Sequence, residues 1–501
     1  MKQLFIDDHV IEKMDNLARK LHQPEKFEGN AVVRPEYRWE NIALQVRSAP
    51  VWVPEEGLFK LIYHASAESS DPDAKMTVTG VMPGEGFACY AQSSDGVNWE
   101  KPFLELYDYP GISWDNQPLG KNNNIVPEAK GIWLGPIYDG KDPAPKRRYK
   151  GLGENGASGR TPAVSPDGLH WTFLDVPPVP SSDEAQFVYD EDNGLFILTV
   201  KHGGPYGRSV WLATSEDFEH WTDPELVFHA DQVDQENGQE RLARFFEDPA
   251  YLAPVVNRPE EYRTDVYHMA VFPYEGMYLG LPSFYHASGK HPPMYENTDG
   301  RKTIELSSSR DLKCWNRVAN RAPFLELSPK GDGTAYDTGQ LEPTNRPILR
   351  NNQIWFYYTG LRHRYNSLEE VMAKRYLDGG AVCMARLRLD GFVSLKGGIE
   401  WGSVLTKPLT IENLELHVNV DSWRGQVRAE ILDVSTGHPI PGFGREGSVP
   451  AVVDNIDTAL RWKNEPDLAK LRGQTVRIRF WILSAELYAF WFSSEKGCGG
   501  A

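Results

Sequence analysis

Ser-Ser-Asp-Gly-Val-Asn-Trp at 93–99 returns as Ser-Pro-Asp-Gly-Leu-His-Trp at 165–171 and as Ser-Glu-Asp-Phe-Glu-His-Trp at 215–221. It comes back, one residue longer, as Ser-Ser-Arg-Asp-Leu-Lys-Cys-Trp at 308–315, and a fainter echo, Leu-Asp-Gly-Phe-Val-Ser-Leu, stands at 389–395. The residues before each copy alternate or run apolar, as at 87–91 and 210–214, which is the pattern of a strand. Ser-x-Asp-Gly is turn chemistry: the Asp carboxylate bonds its own backbone, and Gly takes positive φ without a steric cost. The Trp then opens a short outer strand and covers the sheet edge. Each copy therefore closes a hairpin.

A second hairpin lies upstream of each motif. The segments 51–63, 187–198 and 347–358 show it, and the middle one carries Asn193-Gly194 at its turn. Two hairpins per unit, repeated about five times, predict four-stranded blades around an axis, a β-propeller. The competing architecture is an irregular sandwich with similar turns. The spacing between motif tryptophans is uneven, which favours an enzyme with loops elaborated around a pocket over a regular scaffold.

Beyond residue 396 the motif stops. Clean alternation at 414–420, 427–432 and 476–482, and an apolar segment at 489–492, predict a β-sandwich. The expected organisation is all-β, with a five-bladed propeller over 1–395 and a sandwich over 396–501 joined without a low-complexity linker.

The bulk properties agree. A chain of 501 residues exceeds what one core supports, and 44 Gly and 36 Pro match a turn-rich protein. The net charge of −17 repels phosphate backbones, so a nucleic-acid partner is not expected. No segment has the roughly 18 apolar residues that span a bilayer, and the N-terminus lacks a signal-peptide apolar core. The sequence predicts a soluble protein, cytoplasmic as it stands, or secreted or periplasmic if a signal has been removed. Cys89, Cys314, Cys383 and Cys498 lack metal-ligand spacing and predict reduced thiols. There is no His-x-x-x-His, EF-hand loop, Gly-x-Ser-x-Gly elbow or phosphate-binding Gly loop, so neither a metal nor another cofactor is expected. Oligomeric state leaves no trace in the sequence.

A propeller with Ser-x-Asp-Gly-x-x-Trp blade ends and a C-terminal sandwich resembles the five-bladed glycoside hydrolases. These are the invertase and levanase group, the arabinanase and β-xylosidase group, and the mannoside phosphorylases. The chain resembles a divergent member. The invertase-type Trp-Met-Asn-Asp-Pro-Asn-Gly segment is absent, the nearest early acid being Glu40 in Trp39-Glu40-Asn41. Glu247-Asp248-Pro249 resembles the Arg-Asp-Pro triplet with Glu for Arg. The resemblance implies a carbohydrate substrate and cleavage of a glycosidic bond.

Such cleavage needs two carboxyl groups, one to protonate the leaving oxygen and one to activate water or attack the anomeric carbon. In a propeller the start of each innermost strand faces the axis, so acids there converge. Unit one offers Glu40, followed by Arg47. Unit two offers Asn122, Asn123 and Asn124 and no acid. Unit three has Asp183 and Glu184, unit four Glu247 and Asp248, and unit five Asp337 and Glu342. The first choice of catalytic pair is Glu184 with Asp248, followed by Glu342 and Asp183. Groups expected to orient a sugar are Glu40, Arg47, Trp39, Asn124, His202, Glu247, Tyr251 and His286, with His64 flanking the same pocket. The structural alternatives are an Asx-type turn for Asp183, an ion pair of Glu247 with Arg241 or Arg244, and purely structural histidines. Two further functions stay open. One is a phosphorylase or transglycosylase with phosphate held by Arg47, Lys201 and His202; the other is a sugar-binding propeller without catalysis.

Overall fold

The computed structural model describes residues 1–68, 85–112, 118–154, 159–291, 295–363, 377–412 and 415–493. Leu414 and Cys498 lie outside them. The described chain is predominantly β, with one α-helix, Gln232–Glu247.

The repeated motif forms the same turn four times. Gly96 N–H donates to Ser93 Oγ (2.8 Å), Val97 and Asn98 N–H both donate to Asp95 Oδ1 (2.8 Å), and Trp99 Nε1–H returns to Gly96 O (3.2 Å). Asp167, Asp217 and Asp311 accept from two backbone N–H groups in the same way. The fourth turn therefore begins at Ser309, not Ser308, and has the same length as the others. The residue after each Asp has positive φ: Gly96 (79°), Gly168 (84°), Phe218 (70°) and Leu312 (66°). The echo at 389–395 is a different turn. Asp390 there is buried and accepts from Tyr274 Oη and Lys2 Nζ, both at 2.7 Å.

These turns close antiparallel sheets. One four-stranded sheet runs Ile132–Tyr138, Tyr149–Gly153, Thr161–Ser165, Thr172–Phe173, and the next runs Ala185–Asp190, Leu195–Gly204, Gly207–Ser215, Glu225–Phe228. In a third, Arg263–Tyr274 pairs with Met277–His291, which pairs in turn with Tyr295–Glu305 and Ser307–Ser309. A larger sheet joins the two ends of the repeat region. Gln340–Pro343 and Ile348–Arg350 pair with Gln353–Leu361, which pairs with Gly380–Arg388. That strand meets Ala43–Gln45 in parallel, and Leu58–Ala67 and Glu85–Ser93 follow.

Two further sheets share one core, built on Leu395, Val404, Val418, Ile431, Phe480 and Phe490. Their strands include Ile11–Asp15 and Leu17–Leu21, which pair with Gly402–Thr406 and Val393–Gly397. The chain's first strands thus belong with its last ones, and the expected boundary at 395/396 falls within a strand. A continuous apolar cluster runs from Leu279 and Phe356 through Phe392 to Ala489, which accounts for the missing linker.

Unit four departs from expectation. Its first strand starts at Arg263, not near Tyr251, because the helix Gln232–Glu247 is inserted ahead of it. Asp231 caps that helix by accepting from Asp234 N–H (3.1 Å), and Asp234 reciprocates (3.0 Å). Arg317 and Arg321 anchor the cap through Asp231 and Asp234.

Candidate active site

Four chain segments far apart in sequence bring charged side chains together. Arg47 follows the strand Ala43–Gln45, Glu184 precedes Ala185–Asp190, Tyr267 and His268 lie in Arg263–Tyr274, and Glu342 lies in Gln340–Pro343. Arg47 grips Glu184 with two bonds, Nε to Oε2 (2.8 Å) and Nη2 to Oε1 (2.7 Å). This bidentate geometry is the strongest form of Arg–carboxylate pair. Glu342 accepts from Lys302 Nζ and from His268 Nε2 (2.8 Å). Gln186 Nε2 donates to His268 Nδ1 (3.4 Å), so a neutral ring with its proton on Nε2 satisfies both contacts.

A β-bulge positions Tyr267. The register with the neighbouring strand shifts between Val266 and His268, leaving Tyr267 as the extra residue. That irregularity re-aims side chains otherwise fixed by strict alternation. The Tyr267 ring carries Lys302 Nζ at 3.3 Å and Lys201 Nζ at 3.6 Å from its centroid, with the Arg208 guanidinium at 4.9 Å. Lys201 binds Asp183 (2.6 Å), and Arg208 binds Asp265 (2.7 Å). Arg47, Lys201, Arg208 and Lys302 thus face Glu184, Asp183, Asp265 and Glu342, a balanced set of charges.

Burial and pairing set the protonation states. Burial pushes the Glu184 carboxyl up, but Arg47, then Lys201 and His268, outweigh it and hold the group well below the ordinary range. Against the same burial, Lys302 and His268 bring Glu342 down to about 2. Both are ionised at neutral pH. Desolvation, opposed by Glu342, lowers His268, and desolvation with the nearby Arg47 lowers His64 to about 3. His64 stacks on Trp133 with 3.9 Å between ring centroids, and its Nε2 reaches Ile132 O at 3.1 Å. Desolvation, followed by Glu184 and Glu342, raises the Tyr267 phenol well above its ordinary value, so it keeps its proton.

The residues expected from the sequence divide between several places. Arg47, Glu184, Asp183, Glu342 and His64 belong to this cluster. Asp183 is more exposed than Glu184, and its carboxylate binds Lys201 instead of closing an Asx turn. His202 lies at its edge, with Ser182 Oγ 3.2 Å from Nδ1 and Pro180 O 3.0 Å from Nε2.

Trp39, Glu40 and Asn124 form a separate buried network. Trp39 Nε1–H donates to Asn124 Oδ1 (2.8 Å), Asn124 Nδ2–H donates to Tyr63 Oη (2.7 Å), and Tyr63 Oη–H donates to Glu40 Oε2 (2.7 Å). Lys101 Nζ completes it at 2.5 Å from Glu40 Oε1. Tyr63 and His64 are adjacent on one strand, so their side chains point to opposite sheet faces, with the network on the far side from the cluster.

Asp248 and Glu247 are not brought to the cluster. Asp248 caps the helix C-terminus and accepts from Ala250 N–H (2.9 Å), and no hydrogen bond or ion pair among the described residues joins it to Arg47, Glu184, His268 or Glu342. Glu247 is exposed at the same end, while Arg241 and Arg244 pair with Glu305 and Glu326 in place of it. Tyr251 packs on Phe245 and accepts from Arg244 Nη2 (2.8 Å). His286 is fully buried between Thr264 Oγ1 (3.0 Å) and Thr303 Oγ1 (3.2 Å).

The sequence reading passed over Tyr267, His268 and Lys302. Lys302 gave no signal, because its strand, Tyr295–Glu305, is largely polar, and only the pairing with Met277–His291 turns it inward. Among the described residues no group of three or more His, Cys, Asp or Glu side chains is placed to hold a metal ion. No helix of the described residues is long and apolar enough to cross a membrane.

No family model matches the chain, and no curated protein does. Among solved structures the chain is similar to a glycosyl hydrolase from Bacteroides ovatus, with 12% identity over 75% of this chain and 96% of that one and a TM-score of 0.40. It is also similar to a β-1,2-mannobiose phosphorylase from Listeria innocua, with 11% identity over 74% and 97% and a TM-score of 0.42. A Bombyx mori β-fructofuranosidase matches at 12% identity over 94% and 93%, with a TM-score of 0.39. Similarities at this level leave function to the chemistry of the site.

Proposed function

We propose that this chain is a carbohydrate-active enzyme that cleaves a glycosidic bond, with Glu184 and Glu342 as its working carboxylates. In this proposal the sheets form a five-bladed propeller, closed by pairing of the segment around Glu25–Lys26 with Gly380–Arg388, and the two remaining sheets form a sandwich. The observation that carries the reading is the convergence of Arg47, Glu184, His268 and Glu342 from separate first strands. A propeller axis produces that convergence, and a carboxylate pair on a sugar needs it.

Both carboxylates are ionised, which suits activation of water or attack at the anomeric carbon. Neither is a proton donor in that state. The Tyr267 hydroxyl stays protonated and is assigned delivery of its proton to the leaving oxygen as the C–O bond breaks, the phenolate regaining a proton from the water that is consumed. Lys201 and Lys302 on its ring keep it in place, and Arg47 orients Glu184.

A second reading, the phosphorylase, is favoured by Lys201, Arg208 and Lys302 around the Tyr267 ring, with Arg47 on the neighbouring Glu184, a set that suits an incoming phosphate. A screen of plant and algal oligosaccharides with and without phosphate, read by mass of released sugars, separates the two. Release in phosphate-free buffer supports hydrolysis, and release of sugar phosphate only when phosphate is added supports phosphorolysis. Binding of a glycan with no release under either condition overturns both and leaves a sugar-binding propeller.

A further inference from the structure

The strands that bring the charged cluster together carry a second feature farther along. Arg47 is followed by Pro50 and Trp52, Glu184 by Val188 and Tyr189, His268 by Phe272 and Tyr274, and Glu342 by Arg346. These later residues line one cavity of about 280 Å³. At about 3.3 Å per residue, an offset of four residues places it roughly 13 Å along the strands from the cluster.

Polar crossbeams lie between the two. Asn345 Nδ2–H donates to Phe187 O (2.5 Å), and its Oδ1 accepts from Ala49 N–H (2.9 Å). Asn345 N–H donates to Arg47 O (3.0 Å), and Gln186 Nε2–H donates to Pro343 O (3.3 Å). The cavity is therefore a separate site and not the floor of the first.

Its walls are largely aromatic, with Trp52, Phe59, Tyr189, Phe272 and Tyr274 among them. In this apolar setting sits the Arg346 guanidinium, which makes no hydrogen bond or ion pair with a described residue. Burial lowers its pKa, with only Glu191 acting against that. The side chain is half-buried, and its planar fork of donors, set among aromatic walls and without an anion of the described residues bonded to it, is a place for a carboxylate to dock. At the rim, Trp52 and Leu349 are exposed, and the Arg350 guanidinium lies over Trp52 (5.2 Å) and Phe59 (5.0 Å). The opening thus carries a second positive charge.

We propose that this cavity is a second ligand site for a single sugar-sized ring bearing one carboxylate, of the uronic acid type. Arg346 takes the carboxylate through two parallel hydrogen bonds, and the aromatic walls take the C–H faces of the ring. The size fits one ring, being just below the roughly 300–1,000 Å³ of pockets that take drug-sized molecules. A carboxylate suits the site better than a phosphate, because the lining supplies one planar fork and few other donors. The proposal is independent of the reaction at Glu184 and Glu342.

The test is calorimetric titration of the full chain with D-glucuronate, D-glucose and inorganic phosphate as probes. Saturable binding of glucuronate is expected with Kd of about 1 mM or tighter, with no measurable heat from glucose. Binding should weaken at least about tenfold in Arg346→Met, recover in part in Arg346→Lys, and weaken in Trp52→Ala. Glu342→Gln should leave it intact, which separates this site from the first. Arg346→Lys and Trp52→Ala carry the comparison if Arg346→Met does not fold. Absence of saturable binding overturns the proposal. So does binding that survives both Arg346→Met and Trp52→Ala, that disappears in Glu342→Gln, or that is tighter for phosphate than for glucuronate.

Discussion

Arg47 and Glu184 stand 137 residues apart in the chain and are joined by two N–H···O bonds of 2.8 and 2.7 Å. Arg47 is buried, and Glu184 is nearly so. Removing one partner strands the other charge, which costs about 3–5 kcal/mol for a buried pair. Arg47→Met should therefore lower stability by that order. Glu184→Gln keeps the shape and an acceptor oxygen and should cost less, about 1–3 kcal/mol. The double variant should lose less than the sum, because the second change removes the stranded charge. Urea-unfolding midpoints of the three variants check the ranking, and additive losses would contradict it.

Glu342 and Asp248 make opposite predictions for activity. Glu342→Gln should reduce turnover of an oligosaccharide substrate by about 10²–10⁴-fold, and Tyr267→Phe by about 10²-fold. Asp248→Asn, at the end of a helix and outside the cluster, should leave turnover unchanged. The rates are compared at a temperature where circular dichroism shows each variant folded. Unchanged turnover in Glu342→Gln would remove this carboxylate from the chemistry.

Acid should weaken the fold in two windows. Glu342 is lowered from 4.5 to about 2 in the folded protein. A carboxyl whose folded pKa is depressed contributes stability above its unfolded pKa and loses it as pH falls through the folded one. Its contribution, about 3 kcal/mol, is present above pH 4.5 and fades towards pH 2. His64 falls from 6.5 to about 3. Its neutral form is the one that fits the fold, so its contribution is full above pH 6.5 and declines as acid forces protonation. Thermal midpoints against pH should drop below about pH 6 and again below about pH 4.5. His268 and His286, also lowered by burial, share the first window, and Glu184, lowered by Arg47 against burial, shares the second. His64→Asn should therefore make the first decline shallower and Glu342→Gln the second, without abolishing either.

The parts of the molecule legible in the sequence are those fixed by local chemistry. The turn at Asp95 needs a short acceptor, a residue able to take positive φ and a Trp three residues later, so it recurs visibly. Glu184 and Glu342 were legible because they sit at or near the starts of first strands, where a local strand pattern locates them, and Arg47 because it stands two residues past the end of the short strand Ala43–Gln45. Tyr267 and His268 were missed because the helix Gln232–Glu247 and the loop after it displace the start of unit four's first strand to Arg263. The bulge that aims Tyr267 exists only in the pairing with Met277–His291, and pairing register is not written in either strand alone. The docking of Ile11–Asp15 and Leu17–Leu21 against the chain's last third was hidden for the same reason.

The repeated turn also makes a prediction that sets two effects against each other. Asp95→Ala, Asp167→Ala, Asp217→Ala and Asp311→Ala each free two backbone N–H groups and should each cost about 1–2 kcal/mol. At the next position the outcome depends on what the side chain touches. In Gly96→Ala the new Cβ would lie 2.9 Å from Tyr357 Oη and 3.2 Å from the Trp355 ring, at a φ of 79°. Strain and crowding add, so this variant should lose more than about 1 kcal/mol. Phe218 already adopts a φ of 70°, and glycine there would relieve about 1 kcal/mol of backbone strain. Its ring, however, is fully buried against Phe187, Phe196 and Trp221, and deleting a buried Phe costs about 3–5 kcal/mol. Packing wins by that arithmetic, so Phe218→Gly should destabilise the protein despite easing its backbone. A rise in its thermal midpoint would show that the turn, and not the ring, governs this position.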